Sequence, residues 1–114
     1  METRICKLVL AYPSAAEDSL IDYMLALDPP LASFTTLSAD GHGVDFSEAT
    51  VNERVRGRVR RGLMLLILPK NDVPPLLEHI RSGINIQHLV YWIEPVEEFA
   101  RLISGHETDI AERQ

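Results

Sequence analysis

The order of strand-forming and helix-forming segments constrains the fold of this chain more than any other feature of its sequence. Four segments rich in apolar and β-branched residues predict strands over residues 5–12, 33–39, 55–68 and 88–94. One helix is predicted to begin at the capping-box sequence of residues 14–17 and to end before Pro29. A second helix should begin near Pro74 and end at Gly83, so the order is strand, helix, strand, strand, helix, strand.

This order predicts an α+β fold, the ferredoxin-like β-α-β-β-α-β sandwich, in which two helices cover one face of a four-stranded antiparallel sheet. Residues of both parities are apolar in the third strand, from Leu63 to Leu68, and in the fourth, from Leu89 to Ile93. The sheet face opposite the helices should then expose a large apolar surface. Monomers rarely tolerate such a surface, so we expect a homo-oligomer that buries it.

The connections and the C-terminus complete the expected organisation. A long loop should join the second and third strands, and a short helix is predicted between Pro95 and Ile103. At 114 residues the chain is long enough for one core only. We therefore expect one domain over residues 1–104, followed by a polar, flexible tail over residues 105–114.

Five arginines cluster at the start of the predicted third strand. Arg54, Arg56, Arg58 and Arg60 occupy alternate positions, and Arg61 follows directly. In an extended strand the first four guanidiniums share one face, where they repel one another unless an anion or a set of carboxylates neutralises them. Arginine suits an anion site because its planar fork donates paired hydrogen bonds to phosphate or carboxylate. Pairing with acidic residues of the same hairpin, or of a neighbouring subunit, is an equally open alternative.

The tripeptide Gly41-His42-Gly43 lies at the start of the long loop. Its glycines permit positive φ angles and close approach of the backbone. The tripeptide can therefore be a hinge that carries a ligand-facing histidine, or a plain turn. Together with the arginines it gives the predicted effector-binding set: Gly41, His42, Gly43, Arg54, Arg56, Arg58, Arg60 and Arg61.

Composition and the absence of motifs exclude several functions. The net charge of −6 argues against general affinity for nucleic acid. No apolar run approaches the roughly 20 residues that cross a bilayer, no signal peptide is recognisable, and the single cysteine, Cys6, fits a cytoplasmic protein. The histidines His42, His79, His88 and His106 lack metal-ligand spacing, so no metal or cofactor is predicted. Without a nucleophile elbow, P-loop or HExxH sequence, we do not expect an enzyme.

Several short motifs carry a family resemblance: Phe34-Thr35-Thr36-Leu37, Gly41-His42-Gly43, Val55-Arg56-Gly57-Arg58, Arg60-Arg61, Tyr91-Trp92 and Pro95-Val96. With the ferredoxin-like order and the long loop between the second and third strands, they resemble the PII-like signalling superfamily and, more closely, a small uncharacterised bacterial family of PII-like proteins. The resemblance extends from about residue 7 to residue 102. It implies a compact homotrimer with a loop projecting from each subunit, and small effectors, often nucleotides, bound between subunits near the loop base.

The function that this resemblance implies is regulation, in which effector binding changes how the protein contacts a membrane transporter or an enzyme. Members of the closer family look associated with metal-efflux systems. PII proteins hold ATP phosphates with a glycine- and lysine-bearing loop before the last strand, whereas residues 81–88 here contain one glycine and no lysine. We therefore expect a PII-like regulatory protein that binds a small anionic effector and modulates a partner protein. A metal-responsive module and a purely structural oligomerisation domain are the alternatives.

Overall fold

The structure is a computed structural model that describes residues 4–29, 33–42 and 59–103, together with the backbone of residues 108–110. The 3-10 turns Ser14–Ala16 and Lys70–Asp72 lead into the two α-helices. The α+β order predicted from the sequence is confirmed. In this part of the chain the elements are β1 (Ile5–Pro13), α1 (Glu17–Leu25), β2 (Phe34–Gly41), β3 (Val59–Pro69), α2 (Val73–Gly83), β4 (Val90–Pro95), β5 (Ala100–Leu102) and β6 (Thr108–Ile110).

The first four strands form one antiparallel sheet in the order β2-β3-β1-β4, an arrangement compatible with the ferredoxin-like fold. Strands β1 and β3 lie in the centre of the sheet, and β2 and β4 lie at its edges. Both helices pack on one face, where alternate residues of β1 and β3 point toward them. The core between the layers contains Cys6, Leu8, Leu10, Tyr12, Leu20, Met24, Met64, Leu66, Leu68, Val73, Leu76 and Ile80.

Among the boundaries that differ from the predicted ones, two have a clear physical reason. Ser14 is not the N-cap of α1, because residues 14–16 form a 3-10 turn and Ala16 takes the capping position. The last sheet strand begins at Val90 and not at residue 88, because His88 has a φ of 63°. That left-handed conformation is incompatible with a continuous strand. Residues 55–58 of the predicted third strand lie outside the described residues.

The short helix predicted between Pro95 and Ile103 is wrong. Ala100–Leu102 forms a strand that pairs antiparallel with Thr108–Ile110, in a two-stranded sheet separate from the main one. The apolar spacing in this segment favours a helix, but a partner strand supplies the backbone hydrogen bonds that an extended conformation needs. Part of the predicted polar tail is therefore a strand.

Candidate functional site

Strand β2 ends and β3 begins at the same end of the sheet, which we call the loop end. Gly41, the last residue of β2, pairs with Val59, the first residue of β3. His42 follows Gly41 and is exposed, and Arg60 and Arg61 follow Val59. The structure thus brings four residues of the predicted effector set to the loop end. The other members lie outside the described residues: Gly43, Arg54, Arg56 and Arg58.

Arg60 lies on the helix side of the sheet, in register with the core residues Met64 and Leu66. The arginine therefore lies on the face of β3 that, further along the strand, forms the core. Its Nε atom lies 3.9 Å from Oδ1 of Asp40, the residue opposite it on β2. Both side chains are exposed, and exposed pairs of this kind contribute only about 0–1 kcal/mol. The pair lies at the loop end and adds little stability.

Arg61 points to the opposite face of the sheet, where Ala39 of β2 and Pro13 of β1 are its register partners. Its Nη2 atom donates a hydrogen bond to the backbone carbonyl of His88 at 3.0 Å. Partial burial lowers the pKa of this guanidinium, because desolvation disfavours the charged form. Arg61 thereby connects β3, across the end of β1, to the turn that precedes β4.

A buried tyrosine supports the helix side of the loop end. The Tyr12 side chain is fully buried, and its hydroxyl donates a hydrogen bond to Oε1 of Glu17 at 2.7 Å. Burial, followed by the hydrogen bond and by the negative charge of Glu17, raises the pKa of Tyr12. Opposite Tyr12, residue 62 must be glycine, since a Cβ atom there would collide with the tyrosine ring. This packing fixes the backbone from which Arg61 projects.

The sheet face opposite the helices, which we call the outer face, is largely apolar, as predicted. Leu37 and Trp92 remain 47% and 43% exposed on it. Its charged groups include Lys7 and Glu94, whose Nζ and Oε1 atoms are 3.7 Å apart. The register places these apolar side chains on the outer face: Val9, Ala11, Leu37, Leu63, Leu65, Ile67, Val90 and Trp92.

The described part of the chain contains neither a cluster of metal-ligating side chains nor a membrane-spanning helix. Within residues 4–29, 33–42 and 59–103, no three His, Cys, Asp or Glu side chains come together as a metal site. Neither α1 nor α2 has the length and apolarity needed to cross a membrane.

The sequence matches the family model described as "Protein of unknown function (DUF3240)" over residues 2–103. The chain belongs to this family. A solved structure, the crystal structure of a DUF3240 family protein from Shewanella baltica OS155, is similar to it with a TM-score of 0.64 and 19% sequence identity. The match covers 90% of this chain and 100% of that chain, and at this identity it shows the fold alone. No curated protein matches the sequence.

Sequence reasoning missed two contributors to the loop end. The carbonyl of His88 is 27 residues from Arg61, and no local pattern indicates that pairing. The contact between Tyr12 and Glu17 was not predicted, because the sequence analysis assigned Glu17 to a capping box. A tyrosine at an inward-facing strand position, followed five residues later by a carboxylate, was the available signal.

Proposed function

We propose that this chain is an oligomeric, PII-like regulatory protein that binds a small anionic effector at the loop end and thereby modulates a partner protein. A nucleotide is one candidate effector. The observation that carries the proposal is the position of Arg60 and Arg61 at the start of β3, beside Gly41 and His42. Successive residues present positive charge on both faces of the sheet at this point, and three further arginines precede them in the sequence.

The two described arginines support anion binding in different ways. Arg61 is held by the His88 carbonyl and is partly desolvated, so a charge-assisted hydrogen bond from it to an anion is less screened than one at an open surface. Arg60 is exposed beside Asp40 and can turn toward a ligand at little energetic cost, because exposed ion pairs are weak. Arg61 thus anchors the effector, and Arg60 adds charge.

The proposed effector site lies at a subunit boundary. Arg61 shares the outer face with exposed apolar side chains such as Leu37, so a second subunit that covers them also approaches the arginine. A homotrimer is the assembly that the PII resemblance implies. Effector binding would change how the protein fits a partner, which the same resemblance makes a transporter or a metal-efflux component. A buried Cys6 fits the reducing cytoplasm that we expect for it.

A structural oligomerisation domain is the alternative that one observation favours. The apolar outer face indicates self-association whether or not an effector binds, and the pairing of Arg60 with Asp40 is the kind of contact that a structural role predicts. This alternative predicts that arginine substitution weakens assembly and that no small ligand binds.

A thermal-shift screen tests the proposal. The full chain, at fixed concentration, is melted with adenine nucleotides, cyclic dinucleotides, phosphate, bicarbonate and divalent metal ions. A ligand that binds only the native state stabilises it by about 2.7 kcal/mol at a hundredfold excess over its dissociation constant. We expect one anion to raise the melting temperature, and the rise to be lost in Arg61→Gln and reduced in Arg60→Gln.

Arg4→Gln is the matched control, because it removes the same charge from an exposed position outside the loop end. An anion-dependent rise that survives in Arg61→Gln would refute the assigned site. A rise with metal ions alone would favour the metal-responsive module. If no ligand shifts the melting temperature, the structural alternative takes the place of the proposal.

A further inference from the structure

We propose that the open edge of β4, with the groove beside it, receives the β5–β6 ribbon of a second copy of this chain. The inference rests on the self-association in the proposed function and does not depend on the effector. It assigns a partner to a surface that the loop-end site does not use.

Strand β4 is an edge strand with one open edge and exposed apolar side chains. It pairs with β1 along one edge, and no described strand pairs with the other. Four consecutive apolar residues, Val90, Tyr91, Trp92 and Ile93, are 51%, 54%, 43% and 39% exposed. Natural edge strands are usually protected by charges, prolines or bulges, and such residues occur in β4 only at its end, as Glu94 and Pro95. The open edge of β4 therefore lacks the usual protection and is suited to pairing with another strand.

A groove of about 520 Å³ adjoins β4 on the helix side of the sheet. Tyr91 lies at its floor beside Leu10, its register partner on β1. Side chains of one strand alternate between faces, so a strand added to β4 would direct every second side chain toward this groove. The groove and the open edge of β4 therefore form one continuous surface. Its remaining apolar lining comes from α2 and the connection that follows: Leu77, Ile80, Ile84, Ile86 and Leu89.

The same chain carries a two-stranded ribbon that lies outside the main sheet. The β5–β6 ribbon has two strands of three residues and forms a sheet of its own. Isolated two-stranded ribbons are at best marginally stable in water, so this one needs further packing, which a third strand would supply. It also presents Leu102, which is 94% exposed, and Phe99, which is 42% exposed. The exposed Leu102 of the ribbon and the apolar open edge of β4 are complementary parts of one contact.

The area that a stable interface needs favours a second copy of the chain over a short peptide of another protein. The exposed fractions of the four apolar β4 side chains correspond to on the order of 400 Å² of accessible surface. A stable interface needs about 800 Å² from each partner. A peptide would cover only the β4 edge, whereas a second copy can also cover the outer face, which continues from β4 through Trp92. Each copy donates a ribbon and accepts one, so the exchange is satisfied either reciprocally in a two-fold dimer or from neighbour to neighbour in a closed ring.

Cysteine cross-linking between differently tagged, co-expressed chains tests this placement. One chain carries Ile86→Cys in the groove and the other Leu102→Cys on the ribbon, while the native Cys6 is buried and stays in both. After mild oxidation we expect a disulfide-linked pair on a non-reducing gel. The matched control replaces Leu102→Cys with Leu25→Cys, which is 68% exposed on α1 and should give at least tenfold less product.

Each outcome decides between the arrangements. Equal cross-linking with the Leu25→Cys control would show random collision and overturn the inference. An oligomer that forms no cross-link would also overturn it, while leaving self-association and anion binding intact. A monomeric protein would overturn both the inference and the self-association on which it rests. If a doubly substituted chain forms the disulfide only within itself, the ribbon covers its own β4, which excludes exchange between copies.

Discussion

At the scale of single residues, the loop end depends on a buried hydroxyl and a glycine. Tyr12 fills the space above Gly62, and its hydroxyl is satisfied by the Glu17 carboxylate at 2.7 Å. A buried hydroxyl without a partner is costly, so the side chain of Glu17 contributes stability and not only charge. The two contacts hold the start of β3 in place, next to Arg61.

Replacement of Tyr12 by phenylalanine should lower the free energy of unfolding at neutral pH by about 1.5–3 kcal/mol, the usual contribution of a hydrogen bond to a charged group. The pKa of Tyr12 is raised in the folded state, so its neutral form stabilises the protein below the unfolded value of about 10. Above that pH the unfolded chain loses its proton first, and this stability is lost as the pH rises toward the folded pKa.

Urea unfolding at pH 7 and at several values above pH 10 measures this effect. The difference in stability between the wild type and Tyr12→Phe should shrink as the pH rises. Tyr91→Phe is the matched control, because Tyr91 is 54% exposed and its replacement should change stability by less than about 0.5 kcal/mol. A difference that stays constant with pH would contradict the assigned role of the buried hydroxyl.

At the scale of elements, burial makes the main strands and helices predictable. Alternation in β1 and the apolar stripe of α2 both report which side chains face the core, so sequence pattern and structure agree there. The start of β4 depends instead on the left-handed conformation of His88, whose carbonyl is held by Arg61 from another strand. The β5 strand depends on pairing with residues 108–110. Local patterns do not encode such distant partners.

The candidate site, too, is predictable from the sequence in some respects and not in others. The sequence predicts that Gly41, His42, Arg60 and Arg61 belong together, because a hairpin brings the end of one strand beside the start of the next. The sequence does not reveal that the side chains of Arg60 and Arg61 lie on opposite faces of the sheet, in different environments. That distinction requires the burial of Arg61 and its bond to the turn before β4, both of which are tertiary.

The contact between the two helices gives a second prediction. The hydroxyl of Tyr23 on α1 donates a hydrogen bond to the carbonyl of His79 on α2 at 2.6 Å, and its ring occupies the space beside Gly83. Gly83→Ala should therefore destabilise the protein by about 1–3 kcal/mol, the usual cost of forcing an extra group into a packed site. Denaturant unfolding measures the loss.

A double-mutant cycle with Tyr23→Phe separates this clash from helix propensity. Removing the hydroxyl relieves the shortest contact, so Gly83→Ala should cost less in the Tyr23→Phe background than in the wild type. Equal costs in both backgrounds would show that the tyrosine does not restrict residue 83.

At the scale of the whole molecule, the outer face decides whether the chain functions alone. Leu37 is 47% exposed on this face, far from the helices, and a charge there is tolerated only if the face stays in water. We predict that Leu37→Lys lowers the assembly mass at fixed protein concentration by at least one subunit. Sedimentation equilibrium measures it. Leu25→Lys, at a 68% exposed position on α1, should leave the mass unchanged.

The two variants also test which side of the sheet is the interface. If Leu25→Lys dissociates the assembly and Leu37→Lys does not, the helices, and not the outer face, form the subunit contact. The proposed placement of the effector at a subunit boundary beside Arg61 would then be wrong.

The central claim is that an anion binds at the loop end through Arg60 and Arg61. A backbone-amide NMR titration of the full chain with the anions of the thermal-shift panel tests it most directly. The account predicts saturable shifts at the amides of Gly41, His42 and Arg61 with one of these anions. The shifts should be absent in the Arg60→Gln/Arg61→Gln double variant and preserved in Arg4→Gln. Saturable shifts confined to α1 and α2, or no saturable shift with any of these anions, would contradict it.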